Sequence, residues 1–415
     1  MDIATGSLRS FIYRVLGSLF LAALMAVVAR ALPVAEFGQF RETIVVIAAV
    51  AAIGGSFGNS AGYFVSNRGR PAAEVAVNGT LLCLAIGLAL LVLSGIAWLV
   101  YDGPGRNLIP LVGVSIFPII GRHALGGVFV GTNALWRFSF ANQGYGYVAL
   151  ALVLAWVVAL GHASAAHVLG VWIIAQYLTF LIVAFSGWRW WSWLLEHRPD
   201  VQLMRQIVSF GAVAGLAGVV SYFNYRVDIL LVAGLDGDAG AGIYSAAVTV
   251  AEGLWLFSSS IAVASYARIG SLGRDESAQL AARGVRHSVL VVTALALPIV
   301  VLAPFLLDII FGGAYGEGGN TLRILVLGTL VYAPQTVLST YFTVQLGRPW
   351  IPMSLAVGSV TVSIIVSVLL ITGDRLPGRR VGDHRELHAF GDRGHAALPP
   401  ALHGAPGRPL AVPAG

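Results

Sequence analysis

Four ionisable residues lie deep inside long apolar stretches of this sequence, where charged groups can do chemistry. They are Arg122, Arg226, Asp228 and Glu252. An ionisable side chain at the centre of a bilayer costs roughly 2.5 to 3.5 kcal/mol on insertion scales, so each of these residues needs a partner, water or a function. The guanidinium groups could bind an anion, and the carboxylates could bind a proton or a cation.

The spacing of these residues limits how they can pair. Arg226 and Asp228 are two residues apart, about 200° around a helix, so we expect them to have separate partners. Arg226 and Glu252 differ in predicted depth by only about 6 Å, which makes an ion pair between neighbouring helices feasible. Arg122 lies about 12 Å from the nearer end of its predicted helix, where snorkelling is strained. These charges either fix helix packing or form a binding site, and the spacing leaves both open.

The sign of the buried charge differs between the two halves of the chain. The first half buries Arg122 and holds Arg14 and Arg30 near helix ends, where they either snorkel or face the interior, whereas its carboxylates fall in loops or at helix ends. A guanidinium stays charged without water and matches phosphate oxygens, so a cationic first half suits an anionic headgroup. We therefore predict a set of substrate-binding cations and a pair of acids that form ion pairs or carry a coupling proton or Na⁺. The cations are Arg122, Arg226, Arg14 and Arg30, and the acids are Asp228 and Glu252.

The composition indicates which elements position these residues. Of 415 residues, 57% are hydrophobic and 11% are charged, with a mean hydropathy of +0.83, whereas soluble domains carry about 25% charged residues. This predicts an all-α, polytopic membrane protein without a sizeable soluble catalytic domain. The lone Cys83 excludes an intrachain disulfide and a Cys-based metal cluster, and the scattered Arg behind the net charge of +6 give no support to nucleic-acid binding.

Apolar runs predict about eleven transmembrane helices, at 11–32, 43–66, 75–101, 107–130, 141–162, 166–187, 207–233, 241–266, 285–311, 320–343 and 350–372.

The connections between these spans differ in charge. The N-terminus and the even-numbered connections hold eleven Arg, whereas the odd-numbered ones hold two, Arg41 and Arg106. The positive-inside rule then places the N-terminus in the cytoplasm. The same arrangement puts Asp308 and Arg323 at equal depth on either side of the connection 312–319, which predicts a structural ion pair.

The segment 374–415 differs from the rest, with six Arg, six Pro and no long apolar run. It is either a disordered tail or the product of a slip in reading frame near residue 376. The frame slip would explain both the loss of apolar character and an Arg-rich stretch on the outer side. We predict that 374–415 is a non-membrane tail.

The chain is predicted to consist of two like-oriented halves. The segments 35–40 and 239–244 share Ala, Gly and an aromatic residue at equal offsets, and each follows a predicted span. Two related bundles are a common transporter plan. We predict two pseudo-symmetric lobes around a central cavity. The first is a six-helix lobe at 1–190 and the second a five-helix lobe at 207–373, joined by a cytoplasmic linker at 191–206.

Several segments resemble a known family. Residues 222–228, 242–245 and 252–255 look like the seventh and eighth helices of the oligosaccharide flippases of the polysaccharide biosynthesis family. That family belongs to the multidrug, oligosaccharidyl-lipid and polysaccharide exporter superfamily. Residues 33–40 are similar to its first helical pair, and the likeness covers roughly 7–373. Members usually have 12 to 14 helices, whereas this chain loses the pattern after the eleventh.

The resemblance implies transport without covalent chemistry. The cargo would be an undecaprenyl-linked, pyrophosphoryl oligosaccharide or polysaccharide repeat unit, moved across a bacterial cytoplasmic membrane as two lobes rock about a central cavity. We expect no cofactor beyond a coupling H⁺ or Na⁺, and no catalytic or metal-binding residue. The expected partners are the lipid bilayer, the lipid-linked oligosaccharide, and a polysaccharide polymerase and glycosyltransferases of the same pathway.

Three alternatives remain open at this point. A cation-coupled multidrug exporter of related architecture is less favoured, because it would be expected to bury carboxylates in the first half. A membrane-bound polysaccharide polymerase or ligase would need a large external loop for its catalytic groups, and the predicted external connections are short. A lipid II flippase would share the mechanism and differ only in cargo.

Overall fold

A computed structural model describes residues 3–103, 105–160, 164–271 and 273–342, with scattered positions from 346 to 361. Side chains are described from Val15 onward, with gaps mainly in 213–225 and 260–271. Regular structure in this part of the chain is helical, which confirms the predicted fold class. Short 3₁₀ turns at 106–108, 188–190 and 313–318 separate some of the α-helices. The α-helices are α1 (Ile3–Ala31), α2 (Val34–Ser66), α3 (Ala72–Val100), α4 (Ile109–Gly131), α5 (Leu135–Leu160), α6 (Ala165–Ser186), α7 (Trp193–Glu196), α8 (Val201–Ser271), α9 (Arg274–Val301), α10 (Ala303–Phe311) and α11 (Gly319–Thr340).

The helices have the length and composition of membrane spans. Eight segments of the described chain are long and apolar enough to cross a bilayer, and Val15–Ala31 is a shorter apolar helix. The protein is therefore a multi-pass membrane protein. Two of the eleven predicted spans, 207–233 and 241–266, both fall within α8, and the predicted span 350–372 lies largely outside the described residues.

Helix α8 is a hairpin of two arms, 201–236 and 238–271. Gly237 has φ 76° and ψ −180°, a conformation that glycine adopts without a Cβ clash. Arg226 and Glu252 are in contact across the two arms, although 26 residues of straight helix would separate them by about 39 Å. The chain therefore reverses direction at Gly237, and the two arms correspond to predicted helices seven and eight.

The predicted span 285–311 is wrong in its boundaries. Helix α9 begins earlier, at Arg274, and the helical run breaks at Leu302 before the short helix α10. Pro304 lies in the first turn of α10, where its missing N–H is tolerated, whereas the same ring inside a continuous helix would clash with the preceding turn.

This break coincides with the failure of the predicted ion pair between Asp308 and Arg323. Arg323 instead donates from Nε to the Val300 carbonyl at 3.0 Å and from Nη1 to Asn320 Oδ1 at 2.8 Å. Among the ion pairs of the described residues, none joins Arg323 to Asp308. Equal predicted depth was not enough to bring the two side chains into contact. The helix break and the 3₁₀ turn determine the direction in which each side chain points.

Helix α2 begins about nine residues earlier than its predicted apolar run. It starts directly after Pro33, whose φ of −55° and ψ of 149° fit a helix N-cap position. Arg41, predicted in the first external connection, consequently lies seven residues inside α2, about 10 Å from its start. This places a further cation inside the helix bundle.

Close glycine contacts bind α2 to α4. A Cβ on Gly127 of α4 would lie 1.8 Å from the carbonyl oxygen of Gly58 in α2. No side chain fits at such a separation, so the two helix backbones cross at van der Waals contact. The first-half helices are further tied together where the Ala165 N–H at the start of α6 donates to Glu36 Oε2 at 2.7 Å.

Helix α2 also packs along both arms of α8, at its two ends. Near its start, a Cβ on Gly38 would meet the carbonyl oxygen of Asp238, and Gln39 Nε2 donates to Asp238 Oδ2 at 2.6 Å. We call this contact of Gly38, Gln39 and Asp238 the Asp238 seam.

The second contact between α2 and α8 lies near the end of α2. There Tyr63 stacks on Phe210 of the first arm, with ring centroids 4.4 Å apart and planes at 14°, and Phe64 meets the same ring edge-on at 6.2 Å. We call this contact of Tyr63, Phe64 and Phe210 the Tyr63 seam. A helix of 33 residues is about 50 Å long, so the two seams lie at opposite ends of α2.

The predicted lobe boundaries, 1–190 and 207–373, stay predictions. The predicted linker 191–206 contains the one-turn helix α7 and the first residues of α8, which begins at Val201. The predicted tail 374–415 lies outside the described residues, and with it the hypothesis of a frame slip.

Candidate functional site

Charged residues from α2 and both arms of α8 gather into one group. We call Arg41, Arg226, Asp228 and Glu252 the central charged cluster. The carboxylate of Glu252 faces the guanidinium of Arg226 at two points, with Nη2 to Oε2 at 3.0 Å and Nη1 to Oε1 at 2.5 Å. The structure thus contains the ion pair that the depth argument indicated. The Glu252 side chain is 42% exposed and that of Arg226 22%, so the pair is not sealed in packing.

Asp228 uses different partners, as its position around the helix requires. The Tyr244 hydroxyl of the second arm donates to Asp228 Oδ2 at 2.6 Å, and the Ile229 N–H donates to Oδ1 at 2.9 Å. A hydroxyl and an N–H stabilise a carboxylate in a site with little water. Asp228 therefore ties the two arms together through Tyr244, as Arg226 does through Glu252.

Arg41 is the residue of this cluster that the sequence interpretation missed. Its side chain is buried, with 7% of the residue exposed, and Nη1 donates to Met25 Sδ at 3.2 Å. A thioether is a weak acceptor, and Arg41 Nε has no hydrogen-bond partner. Its surroundings hold Arg226 as a like charge, with Glu252 and Asp228 as opposite charges in coulombic range. Arg41 is thus a buried cation whose donors lack oxygen acceptors among the described residues.

Arg122 lies apart from this cluster, between α4, α5 and α6. It is 2% exposed, and its Nη1 donates to the carbonyls of Ala141 and Asn142, the second at 3.0 Å. Its Nη2 donates to Gln176 Oε1 at 3.3 Å, and its guanidinium lies 4.7 Å from the centroid of the Tyr145 ring. Four neutral groups therefore hold Arg122 in helix packing, and its role as a clamp for cargo stays a prediction.

Arg30 and Arg14, the other predicted cations, belong to α1. Arg30 is exposed at the end of α1 and donates from Nε to the Ile310 carbonyl at 3.0 Å and from Nη2 to the Ile309 carbonyl. These carbonyls end α10, where a cation complements the helix dipole. The Tyr315 hydroxyl fastens the same junction by donating to the Ala29 carbonyl at 3.2 Å. Arg30 caps a helix here, and the side chain of Arg14 lies outside the described residues.

Two cavities lie beside the seams. The larger, of about 560 Å³, adjoins the Tyr63 seam and contains Arg68 and Arg70. The smaller, of about 330 Å³, adjoins the Asp238 seam and contains Glu42. Neither cavity is lined by Arg122, Arg226 or Glu252.

The central charged cluster can do electrostatic chemistry. It holds two cations and two carboxylates, so uptake of a proton or Na⁺ by either carboxylate would leave net positive charge beside Arg41. Within the described part of the chain, no group of three or more His, Cys, Asp or Glu could hold a metal ion. The arrangement suits binding of an anion coupled to a cation.

Comparison with protein families gives one match that covers most of the chain. The family model described as polysaccharide biosynthesis protein matches residues 27–318. This range contains α2, both arms of α8 and all residues of the central charged cluster. A comparison with curated proteins found no significant match.

Solved structures of similar fold include transporters of the MOP superfamily. The outward-facing conformation of a multidrug resistance MATE family transporter has a TM-score of 0.54 at 16% identity, with 90% of this chain and 97% of that chain covered. Its inward-facing conformation also scores 0.54, at 14% identity, with 89% and 96% covered. A MOP superfamily transporter from Pyrococcus furiosus Vc1 (DSM3638), whose binding pocket has reverse polarity, scores 0.53 at 15% identity, with 91% and 97% covered. The fold is shared with these proteins.

Proposed function

The chain belongs to the polysaccharide biosynthesis protein family, and from this premise we propose that it is a membrane transporter for an undecaprenyl-linked, pyrophosphoryl oligosaccharide or repeat unit. Transport would occur by alternating access across a bacterial cytoplasmic membrane, with the N-terminus in the cytoplasm. The partners would be the lipid bilayer and the polymerase and glycosyltransferases that make and use the same glycan. The fold shared with MOP transporters supports the mode of action.

The observation that carries this proposal is Arg41, a buried cation whose donors have no oxygen acceptor among the described residues. A buried guanidinium without oxygen acceptors is costly, and a ligand that supplies such acceptors would relieve that cost. A diphosphate offers several anionic oxygens in the geometry that a guanidinium fork matches. The cluster lies where α2 meets both arms of α8, so a bound headgroup would contact elements that must move relative to one another.

The two seams support an alternating mechanism. Opening of the Asp238 seam would expose the cluster toward one end of α2, and opening of the Tyr63 seam would expose it toward the other. A ligand shifts such an equilibrium only through different affinities for the two states. Proton or Na⁺ binding at Glu252 or Asp228 would replace an ion pair or a charged hydrogen bond by a neutral contact, and so change those affinities.

A cation-coupled exporter of related architecture is the second candidate. The carboxylates Asp228 and Glu252 favour it, because they could attract a cationic substrate to the second half. Arg41 and Arg226 oppose it, since each lies within coulombic range of these acids and would compete for them. Polymerase or ligase activity has less support, because the longest connection among the described helices, 187–200, is mostly apolar or basic and contains only a 3₁₀ turn and the one-turn helix α7.

Reconstitution of the full chain into liposomes tests the proposal. The probe is fluorescent undecaprenyl pyrophosphate carrying a short oligosaccharide, placed in one leaflet and followed by its accessibility to a membrane-impermeant quencher. We expect protein-dependent appearance of the probe in the other leaflet. Export of a cationic dye with no movement of the lipid probe would overturn the proposal and favour the exporter.

A further inference from the structure

The cavity beside the Tyr63 seam has a volume and a set of lining residues suited to a second binding site. It has a volume of about 560 Å³ and is lined by Tyr63, Arg68 and Arg70 on one side and by Gln206, Ser209 and Phe210 of α8 on the other. We call it the Arg68 cavity. It lies about 33 Å along α2 from Arg41, so it is separate from the central charged cluster.

The backbone fixes the two arginines of the Arg68 cavity. The chain leaves α2 through Gly69, whose φ of 66° is the left-handed conformation that ends many helices. The N–H groups of Arg68 and Arg70 bond back to the carbonyls of Tyr63 and Phe64, at 3.3 and 3.0 Å. Both side chains therefore project from a short, hydrogen-bonded connection and not from a loose loop.

The cavity has an excess of positive charge. Arg70 pairs with Glu74 at 3.0 Å, whereas none of the ion pairs among the described residues involves Arg68. The Arg68 guanidinium lies 5.7 Å from the centroid of the Tyr63 ring, which orients it without neutralising it. One guanidinium is thus available to an anion, with a second close by.

The opposite wall supplies hydrogen-bonding and apolar groups. Gln206 and Ser209 offer an amide and a hydroxyl, the groups that bind phosphate and sugar oxygens. Phe210 is 47% exposed beside them. In a protein whose helices lie in lipid, a prenyl chain could remain in the bilayer while its headgroup occupies the cavity.

We propose that the Arg68 cavity is the docking site at which the phosphate headgroup of the lipid-linked cargo first binds, before it reaches the central charged cluster. This inference rests on the proposed function. The stacked rings of Tyr63 and Phe210 both line the cavity. Docking of a headgroup on Arg68, which lies over Tyr63, would therefore couple anion binding to that stack. The site captures cargo and the cluster retains it.

Association kinetics test whether the Arg68 cavity captures the cargo before the central charged cluster binds it. The full chain is placed in lipid nanodiscs, and binding of fluorescent undecaprenyl pyrophosphate is followed by stopped flow. We expect Arg68→Ala to lower the association rate constant about tenfold, since charges at the mouth of a site act mainly on encounter. Arg68→Lys should recover part of the rate. The wild-type rate should fall with salt, and the Arg68→Ala rate should fall less.

Arg189→Ala is the matched control, because Arg189 also stacks on an aromatic ring, Trp188, at 5.6 Å and lies outside the cavity. Its association rate should equal that of wild type. Equal rates for Arg68→Ala and wild type, with binding and transport intact, would overturn the docking site alone. Absence of lipid binding and transport in the wild type would overturn the proposed function as well.

Competition by inorganic pyrophosphate distinguishes a site for a lipid headgroup from a site for a free anion. We expect it to compete with the lipid probe only at far higher concentration, because it lacks the prenyl chain. Competition at equal concentration would show a site for free phosphate and would overturn the assignment to lipid-linked cargo.

Discussion

Arg122 and Arg41 are both buried arginines on helices that cross at Gly58 and Gly127, yet their surroundings differ. Arg122 donates to two backbone carbonyls and to Gln176, and it lies over Tyr145. Arg41 donates only to a thioether among the described residues. The Nε of each arginine has no partner there, so the difference lies in the terminal nitrogens. The first guanidinium completes the packing of α4, α5 and α6. The second has no oxygen acceptor among the described residues where α2 meets α8.

The difference shows that burial alone does not identify a binding residue. A buried cation whose terminal guanidinium nitrogens donate to neutral oxygens has already recovered much of its lost hydration. A buried cation without acceptors has not, so an incoming anion gains most there. We therefore propose that Arg41, ahead of Arg122, binds the cargo, although the sequence interpretation singled out Arg122.

The largest expected effect on stability is that of Arg122→Ala. It removes charge-assisted hydrogen bonds and leaves a cavity, at a cost of about 3 kcal/mol. The melting temperature in detergent should fall, and export should fall in proportion to the loss of folded protein. A stable Arg122→Ala protein that binds no cargo would contradict this prediction and restore Arg122 as a clamp.

A smaller effect is expected when the ion pair of the central cluster is reversed. Arg226→Glu and Glu252→Arg should each lower stability by about 1 kcal/mol, because the pair is partly exposed and partly screened. The double variant should recover most of this loss, since the pair reforms with opposite polarity. A double-mutant cycle of melting temperatures measures the coupling. Additive losses in the double variant would show that the contact contributes nothing.

Tyr244→Phe should have a still smaller effect. It removes one hydrogen bond to Asp228 while the Ile229 N–H remains, so we expect a loss of up to about 1 kcal/mol. Tyr177→Phe, which removes a hydroxyl bond to the Val114 carbonyl away from the cluster, is a matched control. If Asp228 carries the coupling ion, only Tyr244→Phe should shift the pH or Na⁺ dependence of transport. Identical ion dependence in both variants would exclude that role for the Tyr244 contact.

Much of the fold could be predicted because apolar runs of about 20 residues mark membrane helices directly. The contact of Arg226 with Glu252 could also be predicted, since helical periodicity and depth along two adjacent spans limit the partners. Depth along the helices was sufficient to predict the contact of Arg226 with Glu252, because the Gly237 turn brings the two arms side by side. It failed for Asp308 and Arg323, where a helix break and a 3₁₀ turn change which way each side chain faces.

Arg41 was missed because hydropathy marks the apolar part of a helix and not its first turns. Glu36, Arg41 and Glu42 lower the apolar character of 33–42, so this stretch was interpreted as a loop. Pro33 followed by Glu36 is a helix-start signal that could have extended α2 to Val34. The lack of oxygen acceptors for Arg41 among the described residues depends on contacts between α1, α2 and α8, which no local pattern encodes.

Binding of undecaprenyl pyrophosphate to Arg41→Ala in nanodiscs tests the central claim most directly. We expect affinity to fall at least about tenfold, which corresponds to one charge-assisted hydrogen bond of about 1.4 kcal/mol or more. The melting temperature should fall less than in Arg122→Ala, because the substitution leaves a similar cavity but removes a buried charge that has no oxygen acceptor among the described residues. Arg41→Lys should recover part of the affinity. Wild-type affinity in Arg41→Ala would contradict the account.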